Sequence, residues 1–231
     1  MTVKSWSYSK LTDFEKCRRM FWLKHHQRVP EPERPLPPGK TEHANDRGTR
    51  IHAACEAYIN GTTDELTFEA AKFFGPQIDL LRVLYEKKHV FLEGEWGMSS
   101  SWDPTPWDAA WLRLKLDVLV LLDGEAVVID FKTGRKFGNE IKHAEQMQLY
   151  AVCTALRYPK LRRITSELWY LDNNETSRLV FTREQALRCR NGFDIRGKTI
   201  MIAKEFPSRA SKYTCQWCPY NNEEHCPEGY R

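Results

Sequence analysis

The sequence predicts an α/β domain. A central β-sheet of mixed direction is flanked by helices, with a helical N-terminal part and a cysteine-rich C-terminal tail. Three observations predict it. Hydrophobic periodicity gives the order α-α-α-β-β-β-α-β-β-α, which calls for a mixed sheet between helices. Two runs rich in Val, Ile and Leu flank Asp123-Gly124, a strong short-range signal for a tight hairpin. Thr182-Arg-Glu-Gln185 has the pattern of a capping box opening a helix.

Residues from about Ser9 to Arg28 read as a helix, with Leu11, Phe14, Phe21 and Trp22 at apolar spacing. The proline-rich stretch 30–38 follows as an extended linker, since proline has no N–H to give to helix or sheet. A second helix is expected from near Arg47-Gly48 to Asn60-Gly61, a natural C-terminal signal. Phe68 to Lys88 is helical again, with a break expected at Gly75-Pro76, where Pro76 suits a first helical position. Strands are expected at about 89–98, 111–122 and 126–132, then a helix from Asn139 to Arg157 that ends before Tyr158-Pro159. A second hairpin spans 162–171 and 176–181, and the capping box opens the last long helix. The 231 residues are expected to form one domain: residues 1–88 helical, 89–205 the core and 206–231 the tail.

Composition narrows the class. A hydrophobic content of 41% with eight Trp fits a soluble globular protein. No apolar run approaches the ~20 residues that span a bilayer, so no membrane association is expected. Met1-Thr-Val-Lys-Ser-Trp6 lacks the apolar core of a signal peptide, which places the protein in the cytoplasm (a host's, if the gene is viral). Seven cysteines, an odd count there, argue against a disulfide framework and for thiols or metal ligands. A net charge of +4 and a pI near 8.6 permit a nucleic-acid partner without demanding one. Basic clusters at 16–19, 24–28, 157–163 and 183–198 read singly as solvated helix faces, and together could line a backbone-binding groove. No Gly-x-x-x-x-Gly-Lys-Ser/Thr phosphate loop occurs, so ATP hydrolysis by that route is excluded.

The first hairpin carries the chemistry. If Asp123-Gly124 is a two-residue loop, Leu122 faces Glu125, and counting outward sets Asp117 opposite Asp130. Cβ atoms of directly opposed residues lie ~4.5–5.5 Å apart, where like charges destabilise a sheet. A divalent cation shared by both carboxylates would offset the repulsion, because hard cations prefer oxygen ligands. Lys132 follows two residues after Asp130 and so shares its face. In Gly48-Thr-Arg-Ile-His52 a histidine joins a helix face that also carries Ile51, Cys55 and Ile59. Gln146 and Tyr150, four apart, share a face of the later helix. Glu93 and Glu95 alternate onto one face of an earlier strand.

A Gly-x-x-x-His helix, an Asp before a hairpin, Asp130-Phe-Lys-Thr-Gly134 and Gln146-x-x-x-Tyr150 occur here in one order. Together they resemble the RecB-like branch of the PD-(D/E)XK nuclease superfamily across almost the whole chain. Ser7-Tyr-Ser-Lys-Leu-Thr-Asp-Phe-Glu-Lys-Cys17 is similar to that branch's first helix, and a stand-alone phage version is one form such a chain can take. The resemblance implies a restriction-endonuclease-like core and a metal-dependent DNA nuclease of exonuclease type. Its setting would be DNA recombination, repair, phage replication or spacer acquisition. The alternative is a catalytically inactive nucleic-acid-binding module with a structural metal cluster. By the resemblance His52, Asp117, Asp130 and the main-chain carbonyl of Phe131 bind Mg²⁺ or Mn²⁺. Lys132 positions the attacking water, Gln146 and Tyr150 steady the site and contact the DNA backbone, and Glu93 supports it. DNA, as single strands or duplex ends, is the implied partner, and a separate helicase or recombinase is left open, as is the oligomeric state.

Cys215-Gln-Trp-Cys218 and Cys226 make a three-thiol group that lacks a fourth tetrahedral ligand. In RecB-like nucleases of the AddB type and the CRISPR adaptation nucleases, the N-terminal helix supplies it to a [4Fe–4S] cluster. Cys17 falls at the matching place. Seven residues separate Cys218 from Cys226, more than is usual in that group. Zn²⁺ is therefore the alternative, with His225 as a candidate substitute ligand. Cys55, Cys153 and Cys189 read as small core residues.

Overall fold

A computed structural model describes residues 3–33, 35–134 and 136–230, apart from the side chain of Glu93. The elements are α1 (Tyr8–Lys16), α2 (Arg18–Phe21), α3 (Ala44–Ile59), α4 (Phe68–Glu86), β1 (Val90–Met98), β2 (Pro104–Thr105), β3 (Leu112–Leu122), β4 (Glu125–Lys132), α5 (Glu140–Arg157), β5 (Arg163–Tyr170), β6 (Glu175–Thr182), α6 (Arg183–Ile202) and α7 (Lys212–Cys215). A six-stranded sheet runs in the order β2-β1-β3-β4-β5-β6. All neighbours are antiparallel except β4 and β5, which are parallel and joined through α5. A parallel pair needs such a crossover, because a tight turn cannot return the chain to the same direction. No described helix is long and apolar enough to cross a membrane.

Local signals held where local physics decides. Asp123-Gly124 forms the two-residue loop, with Gly124 at φ +70° and Leu122 paired to Glu125. Thr182 caps α6 in a complete capping box with Gln185.

Three expectations are corrected. The first helix is not continuous, because Cys17 is extended (φ −161°, ψ 114°). Beyond it the chain re-enters a helix, α2, which widens into a π-turn over Trp22–Gln27. The C-terminal segment docks on this break: Arg19 N–H donates to the Pro207 carbonyl at 3.2 Å, and Arg209 N–H meets Cys17 Sγ at 3.4 Å. The second helix starts at Ala44, three residues before Arg47. Helix α4 runs through Pro76 without a break. An internal proline costs ~3 kcal/mol, but Ala70, Phe74, Ile78 and Leu81 form one buried face across it. Burial of each larger side chain returns roughly 1.5–3 kcal/mol, so tertiary packing outweighs the local preference.

Two apolar layers sandwich the sheet. On one side α3 and α4 pack Ile51, Phe74 and Ile78 with Val118, Val120, Ile129 and Phe131. On the other, Leu149 and Val152 of α5 and Phe193 of α6 pack with Leu11, Leu114, Ala126 and Val128. Successive residues of β4 therefore feed opposite layers, which sends Ile129 and Phe131 toward α3 and Asp130 toward α5.

Candidate active site

The β3–β4 ladder keeps the expected register from Leu122–Glu125 to Val118–Ile129 and stops there. Asp117 and Asp130 would be the next pair, so the direct opposition expected of them is not formed as a ladder pair. Asp117 turns its carboxylate to other partners. Its Oδ2 accepts the Phe131 N–H at 2.6 Å, and its Oδ1 lies 3.1 Å from Nδ1 of His52 on α3. The close approach of α3 has a cause in Gly48. A Cβ there would stand 2.9 Å from Thr133 Oγ1, directly after Lys132.

Asp130, only 6% exposed, is held from the α5 side. Tyr150 donates its phenol to Asp130 Oδ1 at 2.6 Å. Gln146 Nε2 donates to the Tyr150 oxygen at 2.8 Å, and Lys132 Nζ donates to Gln146 Oε1 at 3.1 Å. The circuit closes where Lys132 Nζ stands 2.5 Å from Asp130 Oδ2. That contact has the distance of an ion pair but not the angle of a hydrogen bond, so Oδ2 is a buried carboxylate oxygen with no directed donor.

Electrostatics follows from this crowding. Burial pushes the Asp117 carboxyl upward and the charge of Asp130 adds to it, against the hydrogen bonds from His52 and the Phe131 N–H. Burial opposes the charged form of His52, yet its bond to Asp117 and the charges of Asp117 and Asp130 together raise its pKa. Burial, then the charges of Asp130 and Asp117, hold Tyr150 well above the ordinary phenol range, so it stays a donor.

His52, Asp117, Asp130, Lys132, Gln146 and Tyr150 are thus brought into one linked group. Glu93 lies on β1, its side chain outside the described residues. Glu95 on the same strand is tied to Lys115 at 2.8 Å. Among the described residues no three His, Cys, Asp or Glu side chains are gathered to hold a metal ion as they stand. The donor chemistry nevertheless fits a hard divalent cation: an imidazole, a carbonyl and two carboxylates, one of which keeps a buried oxygen without a donor. Sequence reasoning missed His143, whose Nδ1 lies 2.7 Å from the Tyr170 hydroxyl beside Lys132. Its place on α5, three residues before Gln146, was the available signal.

Where the first helix ends, Cys17, Cys215, Cys218 and Cys226 line one small cavity, all four as free thiols. His225 does not line it, and its ring nitrogen Nδ1 faces Asn222 Oδ1 at 2.9 Å. Cys55 and Cys153 are fully buried as expected, whereas Cys189 is half-buried, its Sγ 3.6 Å from the Gln185 carbonyl.

A mixed sheet between helices, with two acidic residues and a lysine where a hairpin ladder ends, defines a nuclease-type α/β core. The PD-(D/E)XK nuclease superfamily model matches residues 5–223, and the chain belongs to that superfamily. Its members generally use Mg²⁺ or Mn²⁺. No curated protein matches the sequence significantly. Among solved structures, the chain is similar to SSO0001 at 13% identity and a TM-score of 0.42, covering 99% of this chain and 88% of that one. It is also similar to a protein from Eubacterium rectale named "Putative exonuclease", at 12% identity and a TM-score of 0.49, covering 95% of this chain and 88% of that one.

Proposed function

We propose that the chain is a divalent-metal-dependent deoxyribonuclease that hydrolyses phosphodiester bonds, acting as an exonuclease on single strands or duplex ends. One observation carries the reading: at the end of the β3–β4 ladder Asp130 meets Lys132 while Asp117 holds His52 and the Phe131 N–H, and Asp130 keeps a buried oxygen without a directed donor. His52, Asp117, Asp130 and the Phe131 carbonyl would hold Mg²⁺ or Mn²⁺, which polarises a phosphoryl oxygen and lowers the pKa of bound water. The chain's own groups do the rest. Lys132, steered by Gln146 Oε1, orients the attacking water and offsets charge growing on the phosphate. Gln146 and Tyr150 fix Asp130 and Lys132, and Glu93 supports the site from β1.

The exonuclease preference rests on the resemblance to the RecB-like branch, as do the pathways: recombination, repair, phage replication or spacer acquisition. A helicase or recombinase would be the protein partner. The cysteine cavity would hold a [4Fe–4S] cluster that ties the tail to Cys17. The reading is supported by four thiols lining one cavity, although among the described residues no three of them are gathered to hold a metal as they stand. The turned-away His225 weakens the Zn²⁺ alternative with histidine.

The test is cleavage of end-labelled single- and double-stranded DNA with Mn²⁺ or Mg²⁺, beside a closed circle and the Asp130→Ala variant. Loss of linear DNA with the circle spared and the variant inactive supports the reading. Cutting of the circle changes the class to endonuclease. Cleavage by the variant equal to that of the parent removes this site from the chemistry. Absence of cleavage by folded, metal-replete protein leaves the binding module.

A further inference from the structure

Beside the candidate site, a cavity of about 580 Å³ opens between α1, β3 and α5. Its walls include Lys132, Gln146 and Tyr150 of the site, and beyond them Lys142, Lys10, Arg113 and Trp107. A second cavity, of about 350 Å³, shares Lys10 and Arg113 with the first and continues to Lys4 and Arg28. The two form one trough that starts at the candidate site and is lined by cations from four separate segments. Tyr8 fixes the near wall by donating to the Lys142 carbonyl at 2.6 Å and to Glu145 at 3.2 Å.

The cations of the trough are not spent on acids. Among the described residues no ion pair engages Lys10, Arg113, Lys142 or Arg28, while Lys115 at the rim is paired with Glu95 and Lys132 with Asp130. Burial and neighbouring positive charge lower the pKa of Lys10, and burial followed by the charge of Lys132 does so for Lys142, with Asp13 opposing. Cations held together at such cost complement a polyanion.

Trp107 makes the trough selective. Its carbonyl accepts the Arg113 Nε–H at 2.9 Å, which anchors the arginine and leaves its two terminal nitrogens for a ligand. The guanidinium lies over the Trp107 ring, 4.9 Å from its centroid, and Lys115 Nζ stands 5.9 Å from the same centroid. An arginine held over a half-buried indole sets a phosphate donor directly against an aromatic ring on which a base could stack. Only an unpaired base can offer its face to that surface, because in a duplex the faces are already stacked.

We propose that this trough holds the single-stranded flank of the substrate, with Trp107 and Arg113 as the unit that recognises an unpaired nucleotide next to the scissile phosphate. The assignment rests on the nuclease reading of the Asp130 site and extends it to strandedness and path.

Binding without divalent metal separates the two. Fluorescence anisotropy of labelled single-stranded and duplex oligonucleotides would be compared for the parent, Trp107→Ala, Trp107→Phe, Lys142→Glu, Arg113→Lys and Asp130→Ala, with melting curves to confirm folding. Trp107→Ala should weaken single-strand binding by about tenfold or more, spare duplex binding, and be restored by Trp107→Phe. Lys142→Glu should reduce the slope of log affinity against log salt by about 1. Asp130→Ala should bind single strands like the parent, and in a separate assay with Mn²⁺ should fail to cleave where the parent cuts. Unchanged single-strand affinity in both Trp107→Ala and Lys142→Glu overturns the trough as the strand path. Equal losses for single strand and duplex overturn the stacking role. Cleavage by Asp130→Ala would overturn the nuclease reading and leave the binding result intact.

Discussion

Asp130 and Lys132, two residues apart on β4, are joined a second time through α5. Lys132 donates to Gln146, Gln146 to Tyr150, and Tyr150 to the first oxygen of Asp130, while the ammonium stands 2.5 Å from the second. Every link has one directed donor except the last. The spacing of Gln146 and Tyr150 by one helical turn matches the spacing of Asp130 and Lys132 on the strand, so two regular elements lock each other's side chains.

Tyr150→Phe tests the lock. It removes the directed donor to a carboxylate that is 6% exposed. Leaving such a group short of a partner costs ~1–3 kcal/mol. Urea unfolding of metal-free protein should show that loss, and Mn²⁺ should recover part of it if the ion binds Asp130. An unchanged midpoint would mean that the phenol contributes nothing to holding Asp130.

His52→Ala tests the α3 side. Removing an outer-shell partner of a metal site costs ~10–100-fold in affinity, and loss of a ligand should cost more. Calorimetric titration with Mn²⁺ should show weaker binding for His52→Ala than for His143→Ala, whose ring faces Tyr170. Equal affinities in the two variants would take His52 out of the ligand set.

The proposed cluster in the cysteine cavity would have its own signature. Cys17 and the tail are linked by the Arg19–Pro207 and Arg209–Cys17 contacts even without a cluster. If a [4Fe–4S] cluster adds to these contacts as proposed, Cys17→Ala and Cys218→Ala should lower both iron content and melting temperature without altering the active-site groups. Full metal content and unchanged melting in both variants would count against the staple.

What was legible in the sequence was what neighbours in sequence decide. The Asp123-Gly124 loop fixed the register of β3 and β4, and Thr182 and Gln185 announced α6. The ordered motifs led to residues that the fold brings into one linked group, because each motif sits on one regular element. Illegible features depend on distant partners. Pro76 is overruled by a buried face. Cys17 breaks its helix where the tail docks. Asp117 leaves the ladder for a histidine 65 residues away. The trough joins residues of α1, β3 and α5 that no single periodicity connects.

Gly48→Ala probes the approach of α3 to the site. Alanine gains ~1 kcal/mol of helix propensity over glycine, but its Cβ would stand 2.9 Å from Thr133 Oγ1, closer than Cβ contacts allow. The two effects oppose, so net stability should change by less than about 1 kcal/mol. Activity should not be spared, because the relief of the clash is a shift of α3 that carries His52 away from Asp117, now 3.1 Å distant. Cleavage should fall by about tenfold, the cost of ~1.4 kcal/mol in the barrier. Thr133→Ala removes the obstructing atom, so the double variant Gly48→Ala/Thr133→Ala should regain most of the parent rate, with Thr133→Ala alone near normal. If the double variant stays as slow as Gly48→Ala, the contact with Thr133 is not what sets the distance. If Gly48→Ala cleaves at the parent rate, the glycine is not what places His52.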